Sequence, residues 1–68
     1  MNKKLFETDY VIYDEANDHV LQFSNGDCII YGDINEALED CLGNERVVNC
    51  TQLAQHWTEI IIKQINQS

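Results

Sequence analysis

The spacing of the apolar residues changes from strand-like to helix-like at Gly32-Asp33. Before this point, three runs rich in β-branched and aromatic residues are separated by short turn-forming stretches, which predicts three strands. After it, apolar residues recur three and four positions apart, which predicts a helix over 34–42. Further on, a fourth strand precedes a second helix that is capped by Thr51 and runs to about Asn66. The predicted strands are 9–14, 19–23, 28–32 and 46–50.

This order of elements, βββαβα in 68 residues, predicts an α+β fold. We expect one domain, residues 1–68, because a chain this short can bury only one small core. The domain should contain a small antiparallel sheet of three or four strands and two helices, mainly on one face. The apolar stripe of the second helix includes one polar residue, Gln64. The expected core is Val11, Leu21, Phe23, Ile30, Leu38, Val47, Trp57, Ile60 and Ile61.

The Asn25-Gly26 pair predicts a two-residue hairpin loop, because both central positions of a type I′ turn require positive φ. Such a loop places Phe23 opposite Cys28. Pairing Tyr13 with His19 extends this register to the first strand. One face of the sheet, which includes Phe23, is then the expected helix-packed core. The other face carries apolar and tyrosine side chains: Tyr10, Ile12, Val20, Ile29 and Tyr31.

Two short helices on one side would leave this apolar and tyrosine face half exposed. Exposed patches of such composition mark interaction surfaces, which predicts a face that docks a partner or forms a homodimer. An alternative remains open, in which the second helix or the N-terminal segment with Leu5 and Phe6 folds over this face.

The predicted first helix is well delimited and strongly acidic. Asp33 is expected to cap its N-terminus, and Glu36, three residues later, completes a capping box. Gly43 is placed for a left-handed C-cap. The acids of this stretch lie away from its apolar stripe and define an acidic ridge, which is either a partner-binding site or a solvated helix face. The acidic ridge consists of Asp33, Glu36, Glu39 and Asp40.

The net charge is −8, and the charges are unevenly distributed. Residues 5–45 contain eleven carboxylates and no Lys or Arg. The four basic residues lie outside this stretch: Lys3 and Lys4 before it, and Arg46 and Lys63 after it. Such a surface repels nucleic acid and anionic lipid and attracts basic proteins. The sequence therefore predicts a protein partner with a basic surface and no direct binding to nucleic acid or membranes. The alternative is that the acidic residues only keep the protein soluble and bind no partner.

No arrangement of catalytic or metal-binding residues stands out. His19 and His56 are candidates for acid–base chemistry, but local spacing fixes no carboxylate or cysteine partner for either. The three cysteines lack the CxxC spacing of structural zinc sites, and reduced thiols are the expected state. No apolar stretch approaches the roughly 18 residues of a membrane span, and the N-terminus lacks the apolar region of a signal peptide. We expect a cytoplasmic, non-enzymatic protein without cofactors.

The passage from the predicted third strand through "GDINEAL" (32–38) into the helix resembles, in outline, the strand-to-helix passage of HicB-type antitoxins. The chain contains no Pro, so it lacks the proline-containing loop of that family, and the resemblance implies no functional residue here. In size and acidity the chain is similar to small bacteriophage-encoded inhibitors of host nucleic-acid enzymes. That similarity implies a binding protein that inhibits a basic, nucleic-acid-handling partner.

Overall fold

A computed structural model describes residues 9–67. Its three strands form one antiparallel sheet in the order β2-β1-β3: β1 is Tyr10–Asp14, β2 is His19–Val20 and β3 is Glu45–Asn49. The helices are α1, Ile34–Asp40, and α2, Gln55–Asn66, and a short 3-10 turn, Cys50–Gln52, follows β3. The predicted α+β class, with an antiparallel sheet and two helices, is confirmed.

Strand β1 lies in the centre of the sheet and is buried on both faces. β3 pairs with it along its whole length, from Tyr10 opposite Asn49 to Asp14 at the other end. Neighbouring residues of a strand point to opposite faces, and both Val11 and Ile12 are fully buried. This explains why neither face of the sheet is polar in the sequence, because the chain covers both.

The predicted third strand is only partly formed, and its register differs by one residue from the prediction. The Phe23 amide donates to the Asp27 carbonyl at 2.8 Å, and the Gly26 amide donates to the Phe23 carbonyl at 3.0 Å. Gly26 has φ 94°, the left-handed conformation that a three-residue loop with a bulge requires. Phe23 therefore pairs with Asp27 rather than Cys28. The stretch 28–32 contributes only isolated bridges: Gln22 to Cys28 and Tyr10 to Tyr31.

The first turn also differs from the prediction by one residue. Tyr13 pairs with Val20, and Asp14 pairs with His19, instead of the predicted pairing of Tyr13 with His19. The Asp14 carboxylate accepts hydrogen bonds from two backbone amides of the turn, and Asp18 completes it with φ 48°. A shift of one residue moves the side chains of the second strand to the other face. Val20 is therefore separated from the tyrosine face to which the sequence assigned it.

The two helices cover opposite faces of the sheet, so the prediction that both lie mainly on one face is wrong. Each face is apolar, and each needs its own cover to be removed from water. The cluster under α2 contains Val11, Val20, Cys28, Val48, Cys50, Trp57 and Ile61. The cluster under α1 contains Ile12, Tyr31 and Ala37, with partly buried Tyr10, Leu21, Ile29, Cys41 and Val47 packed against it.

The buried core differs from the predicted one. Phe23, Leu38 and Ile60 are 56%, 54% and 47% exposed, so their assignment to the core is wrong. Phe23 lies beyond the end of β2, next to the hairpin loop, and the orientation of α1 described below exposes Leu38. The remaining predicted core residues are buried or partly buried: Val11, Trp57 and Ile61, and Leu21, Ile30 and Val47.

Helix α2 begins at Gln55, later than the predicted cap at Thr51. The Thr51 amide donates to Asn49 Oδ1 at 2.9 Å, so this threonine belongs to the 3-10 turn instead. Trp57 and Ile61, one turn apart, are the residues of α2 that are buried against the sheet. Within residues 9–67, no helix has the length and apolar character needed to cross a membrane.

Candidate functional site

Helix α1 is short and is fixed at its start by a side-chain cap. Asp33 has extended backbone angles, and its Oδ1 accepts a hydrogen bond from the Asn35 amide at 2.8 Å, so the predicted N-cap is confirmed. The helix ends at Asp40, two residues earlier than predicted. Gly43 does adopt a left-handed conformation, φ 59°, but it lies in the turn beyond the helix rather than directly after it.

The two flanks of α1 differ in chemistry. Successive residues of an α-helix are rotated by about 100°, which places Ile34 and Leu38 on one flank and Glu36 and Asp40 on the other. Ala37 lies between the flanks and is fully buried against the sheet. This small side chain allows the helix to lie close to the sheet, with larger residues at either side.

The apolar flank is exposed. Ile34 is 43% exposed and Leu38 is 54% exposed, and Leu42, just beyond the helix, is 71% exposed. Of the apolar stripe that the sequence predicts, Ala37 is buried and Cys41 is partly buried against the sheet. The predicted stripe therefore covers the sheet with its small residues and presents its large ones to solvent.

An open groove of about 480 Å³ lies beside the apolar flank, between α1 and the segment that follows β3. Its lining includes three apolar side chains, which come from β1, α1 and β3: Tyr10, Ile34 and Val47. The rest of the lining is polar: Asn49, Thr51 and Gln52. We call this depression the α1 groove.

The acidic flank contains one carboxylate with a structural contact and others without. Asp40 accepts a hydrogen bond from the Tyr31 hydroxyl at 2.8 Å. Burial of the phenol, together with this carboxylate, raises the pKa of Tyr31 to about 12. Glu36 and Glu39 form no ion pair within residues 9–67. Their charges are therefore not compensated by the described part of the chain.

The acidic ridge is thus split by the structure into two kinds of residue. Asp33 caps the helix and Asp40 binds the tyrosine beneath it, whereas Glu36 and Glu39 are exposed and form no ion pair among residues 9–67. The side chain of Arg46 lies 3.7 Å from Glu15, and both are well exposed. α1 itself contains no basic residue. The outer surface of α1 is therefore acidic on one side and apolar on the other.

The five residues of the predicted apolar and tyrosine face do not form one exposed surface. Ile12 and Tyr31 are buried beneath α1, and Val20 is buried on the opposite face under α2. Tyr10 and Ile29 are partly buried. The prediction of a common, half-exposed face is therefore wrong, because α1 covers it. Of the five residues, Tyr10 reaches the lining of the α1 groove.

The sequence did not indicate a polar cluster that joins the first turn to α2. Asp18 Oδ1 accepts hydrogen bonds from the Tyr13 hydroxyl at 2.5 Å and from Trp57 Nε1 at 3.0 Å. Asp18 Oδ2 lies 3.3 Å from His56 Nε2. The hydrogen bonds from Tyr13 and Trp57 lower the pKa of Asp18, and the bond to Asp18 raises the pKa of Tyr13. His19 and His56 each pack against the Trp57 ring, with ring centroids 5.7 and 5.6 Å apart.

This cluster has a structural explanation. Trp57 is buried, and its indole N–H needs an acceptor, which Asp18 supplies. The two candidate catalytic histidines thus lie beside the same tryptophan. The only sequence signal for this contact is the acidic turn before β2, and local spacing does not relate it to a residue 39 positions away.

A second open groove, of about 550 Å³, lies between the hairpin loop and α2. Its lining includes both charge signs, since Asp27 and Lys63 face it, along with Ile60. Among the described residues, no group of three or more His, Cys, Asp or Glu side chains is arranged to hold a metal ion. All three cysteines, Cys28, Cys41 and Cys50, are free thiols.

Comparison with protein-family models, with curated proteins and with solved structures finds no match to this chain. The outline resemblance of the strand-to-helix passage to HicB-type antitoxins thus has no support from a family match.

Proposed function

We propose that this chain is a small, non-enzymatic binding protein of the cytoplasm that captures a basic, amphipathic segment of a partner protein on α1. The observation that supports this proposal is that one short helix combines an exposed apolar flank with carboxylates that form no ion pair in the described part of the chain. Leu38 belongs to the exposed apolar flank, and Glu39 is one of the exposed carboxylates. A cytoplasmic location is in keeping with the three free thiols.

The two features have different energetic roles. Complete burial of a Leu or Ile side chain contributes about 1.5–3 kcal/mol, whereas an exposed ion pair contributes about 0.2–1 kcal/mol. We therefore expect Leu38 and Ile34 to supply most of the affinity. Glu36 and Glu39 should select basic partners and accelerate their association.

The net charge of −8 restricts the kind of partner. Nucleic acids and anionic membranes carry the same sign of charge, so direct binding to either lacks its main attractive contribution. A protein whose basic surface normally contacts nucleic acid offers the complementary charge. Inhibition of such a protein, by occupation of its nucleic-acid-binding surface, is the form of this function that we propose.

A capture experiment with matched variants tests the proposal. The tagged protein is incubated with nuclease-treated lysate of its source cells, washed at about 0.1 M salt and eluted at about 1 M salt. Glu39→Lys is compared with Glu59→Lys, because both residues are exposed on helices and both changes alter the net charge equally. Leu38→Ser is compared with Ile60→Ser, which alters a similarly exposed apolar residue on the other side of the sheet.

The expected result is a basic protein that Glu59→Lys and Ile60→Ser retain, that Leu38→Ser loses and that Glu39→Lys retains in a smaller amount. The captured protein, once purified, should release its nucleic acid when this chain is added. Equal retention by all four variants would show that α1 is not the binding surface. Retention that does not change between the two salt concentrations would remove the role of the carboxylates.

A further inference from the structure

Strand β3 lies at an edge of the sheet. In the order β2-β1-β3, its neighbour within residues 9–67 is β1. The Cys50 amide, one residue beyond β3, donates to the Asp9 carbonyl at 2.8 Å. In an antiparallel pair, alternate residues turn their backbone amide and carbonyl groups towards the partner strand. Val48 therefore faces β1, and the backbone groups of Val47 point out of the sheet.

The hydrogen bonds on the other side of β1 agree with this assignment. Val47 lies opposite Ile12, and the Ile12 carbonyl accepts a hydrogen bond from the Leu21 amide at 2.9 Å. Ile12 thus directs its backbone away from β3. The Val47 amide and carbonyl therefore have no strand partner in the part of the chain that the structure describes. Outward groups of this kind allow an edge strand to pair with a further strand.

The apolar flank of α1 lies beside this edge. Ile34 lines the α1 groove together with Val47. On the other flank, Asp40 accepts a hydrogen bond from Tyr31, and Tyr31 pairs with Tyr10 on the side of β1 opposite β3. The helix therefore directs its large apolar residues towards the edge and turns Asp40 away from it. An apolar surface and outward backbone groups thus meet at one edge of the sheet.

A ligand that satisfies both features must be extended. A strand places alternate amide and carbonyl groups opposite Val47, while its side chains alternate between the two faces of the sheet. The Val47 side chain packs on the α1 face. The side chains of an added strand on that face would therefore enter the α1 groove beside Ile34 and Leu38. Apolar residues at every second position fit these contacts.

The surrounding charge defines the residues between these apolar positions. The chain has a net charge of −8, α1 contains no basic residue, and Glu39 is exposed on its outer side. Arg46, the basic residue of β3 itself, lies 3.7 Å from Glu15. A segment that carries Lys or Arg between its apolar residues therefore matches this edge, whereas an acidic segment is repelled.

We infer that the partner's basic segment binds as an additional, extended strand on β3. Its backbone pairs with Val47, and its alternate apolar side chains lie in the α1 groove against Ile34 and Leu38. This inference rests on the proposed function and specifies it, because it names the conformation of the segment that the same site takes. A helical segment would satisfy its own backbone and leave the outward groups of Val47 to water.

The conformation of the bound segment is tested on the full chain with two short peptides of equal Leu and Lys content. Leu and Lys alternate in the strand peptide, whereas Leu recurs three and four positions apart in the helix peptide. Hydrogen exchange of the Val47 amide is measured by NMR before and after each peptide is added. The Val48 amide is the control, because it faces β1 with or without a peptide.

The inference predicts that the Val47 amide exchanges faster than the Val48 amide in the unliganded protein and is protected by the strand peptide. Slow exchange of Val47 before any peptide is added overturns the inference, because the edge is then already paired. If that protection rises with protein concentration, the occupant is a second copy of the chain. Tighter binding of the helix peptide, with the Val47 amide left unprotected, overturns the inference as well.

A substitution at Val47 provides a second, independent test. Val47→Pro removes the outward N–H, and Pro is tolerated on an edge strand where the N–H points away from the sheet. Val47→Thr keeps the N–H and has a similar shape. The strand peptide should bind Val47→Pro about three- to tenfold more weakly than Val47→Thr, the loss expected for one hydrogen bond. Equal affinities overturn the inference, and the exchange measurement decides the question if Val47→Pro folds poorly.

The outcomes also separate the inference from the proposed function. A captured partner that Leu38→Ser loses, and that Val47→Pro retains as well as Val47→Thr does, leaves the proposed function standing and overturns the added strand. A strand peptide that protects the Val47 amide, but binds Leu38→Ser and Glu39→Lys as tightly as the unchanged protein, supports the added strand. That second result contradicts the role of α1 in the proposed function.

Discussion

The side-chain amide of Gln64 pairs with the backbone of Cys28 as a neighbouring strand would. The Cys28 amide donates to Gln64 Oε1 at 2.7 Å, and Gln64 Nε2 donates to the Cys28 carbonyl at 3.0 Å. Cys28 is buried, so its backbone groups need such partners. A residue of α2 thereby completes the hydrogen bonding of a segment that the sheet pairs only through isolated bridges.

Replacing Gln64 by Glu should therefore destabilise the fold. The carboxylate cannot donate to the Cys28 carbonyl, and it brings a negative charge close to that oxygen at a partly buried site. We expect a loss of about 1–3 kcal/mol in the free energy of unfolding, measured with urea. Gln67→Glu changes the same chemistry at an exposed position and should have a much smaller effect. Equal effects of the two changes would refute the structural role of the Gln64 amide.

The contact of Tyr31 with Asp40 predicts a loss of stability at high pH. The pKa of Tyr31 is raised from 10.0 to about 12, first by burial and then by the hydrogen bond to Asp40. Between these values the unfolded chain has lost a proton that the folded protein retains, so the free energy of unfolding falls as pH rises from 10.0 to about 12. The contribution is fully present below pH 10.0.

Absorbance of tyrosinate during an alkaline titration measures this directly. The folded protein should show a late ionisation that Tyr31→Phe removes, and the variant should lose less stability over the same pH range. If the late phase persists in Tyr31→Phe, it does not belong to this residue.

The cluster around Asp18 predicts the opposite pH dependence. Hydrogen bonds from Tyr13 and Trp57 lower the pKa of Asp18 below its ordinary value of 3.8. Its contribution to stability is therefore present above pH 3.8 and is lost as pH falls through the lowered value. Asp18→Asn keeps a residue that tolerates positive φ at this position and removes the charge.

The free energy of unfolding, measured from neutral to acid pH, should fall less steeply for Asp18→Asn than for the unchanged protein. Trp57 fluorescence should shift in the variant at neutral pH, because the indole N–H faces a weaker acceptor. Glu59→Gln removes one carboxylate elsewhere and serves as the control. An identical acid profile for the unchanged protein and Asp18→Asn would contradict the assignment.

The orientation of α1 can be tested by stability alone. Ala37 is fully buried between the helix and the sheet, so Ala37→Leu should destabilise the fold by about 1–3 kcal/mol through overpacking. Leu38 is about half exposed, so Leu38→Ser should have the smaller effect, about 1 kcal/mol or less. If the helix were rotated so that Leu38 faced the sheet, Leu38→Ser would destabilise the fold more than Ala37→Leu.

The elements that depend on local sequence were predictable. The apolar spacing around Ala37 and the capping residue Asp33 indicate α1 within two residues of its observed end. The antiparallel pairing of neighbouring strands follows from short turns. The antiparallel position of β3 beside β1 brings the last strand next to the first, which spacing along the chain does not indicate.

The errors arise from two turns. Asn25-Gly26 fits a two-residue loop by sequence, but the observed loop has one more residue, and Gly26 alone takes positive φ in it. The Asp14 side chain likewise determines the first turn by binding backbone amides. Since a one-residue shift exchanges the faces of a strand, the first turn accounts for the misplaced Val20. The second turn accounts for the pairing of Phe23 with Asp27 instead of Cys28.

The candidate site was predicted in part. The acids of the ridge were identified from sequence, but the exposure of Ile34 and Leu38 was not. Helical spacing identifies the residues of an apolar stripe but does not tell which of them faces the sheet most directly. The small size of Ala37 is the one signal that could have indicated it. The α1 groove depends on β1, β3 and α1 meeting at one edge, which only the fold reveals.

The most direct test of binding at α1 is a titration of the ¹⁵N-labelled protein with a short amphipathic peptide of Leu and Lys, in which the amide chemical shifts are followed. Binding at α1 predicts saturable shifts concentrated in 33–42 and in the lining of the α1 groove, with small changes on α2. Shifts spread over all acidic segments, or concentrated in the turn 14–18, would contradict it, because they would show attraction to net charge rather than recognition by this helix.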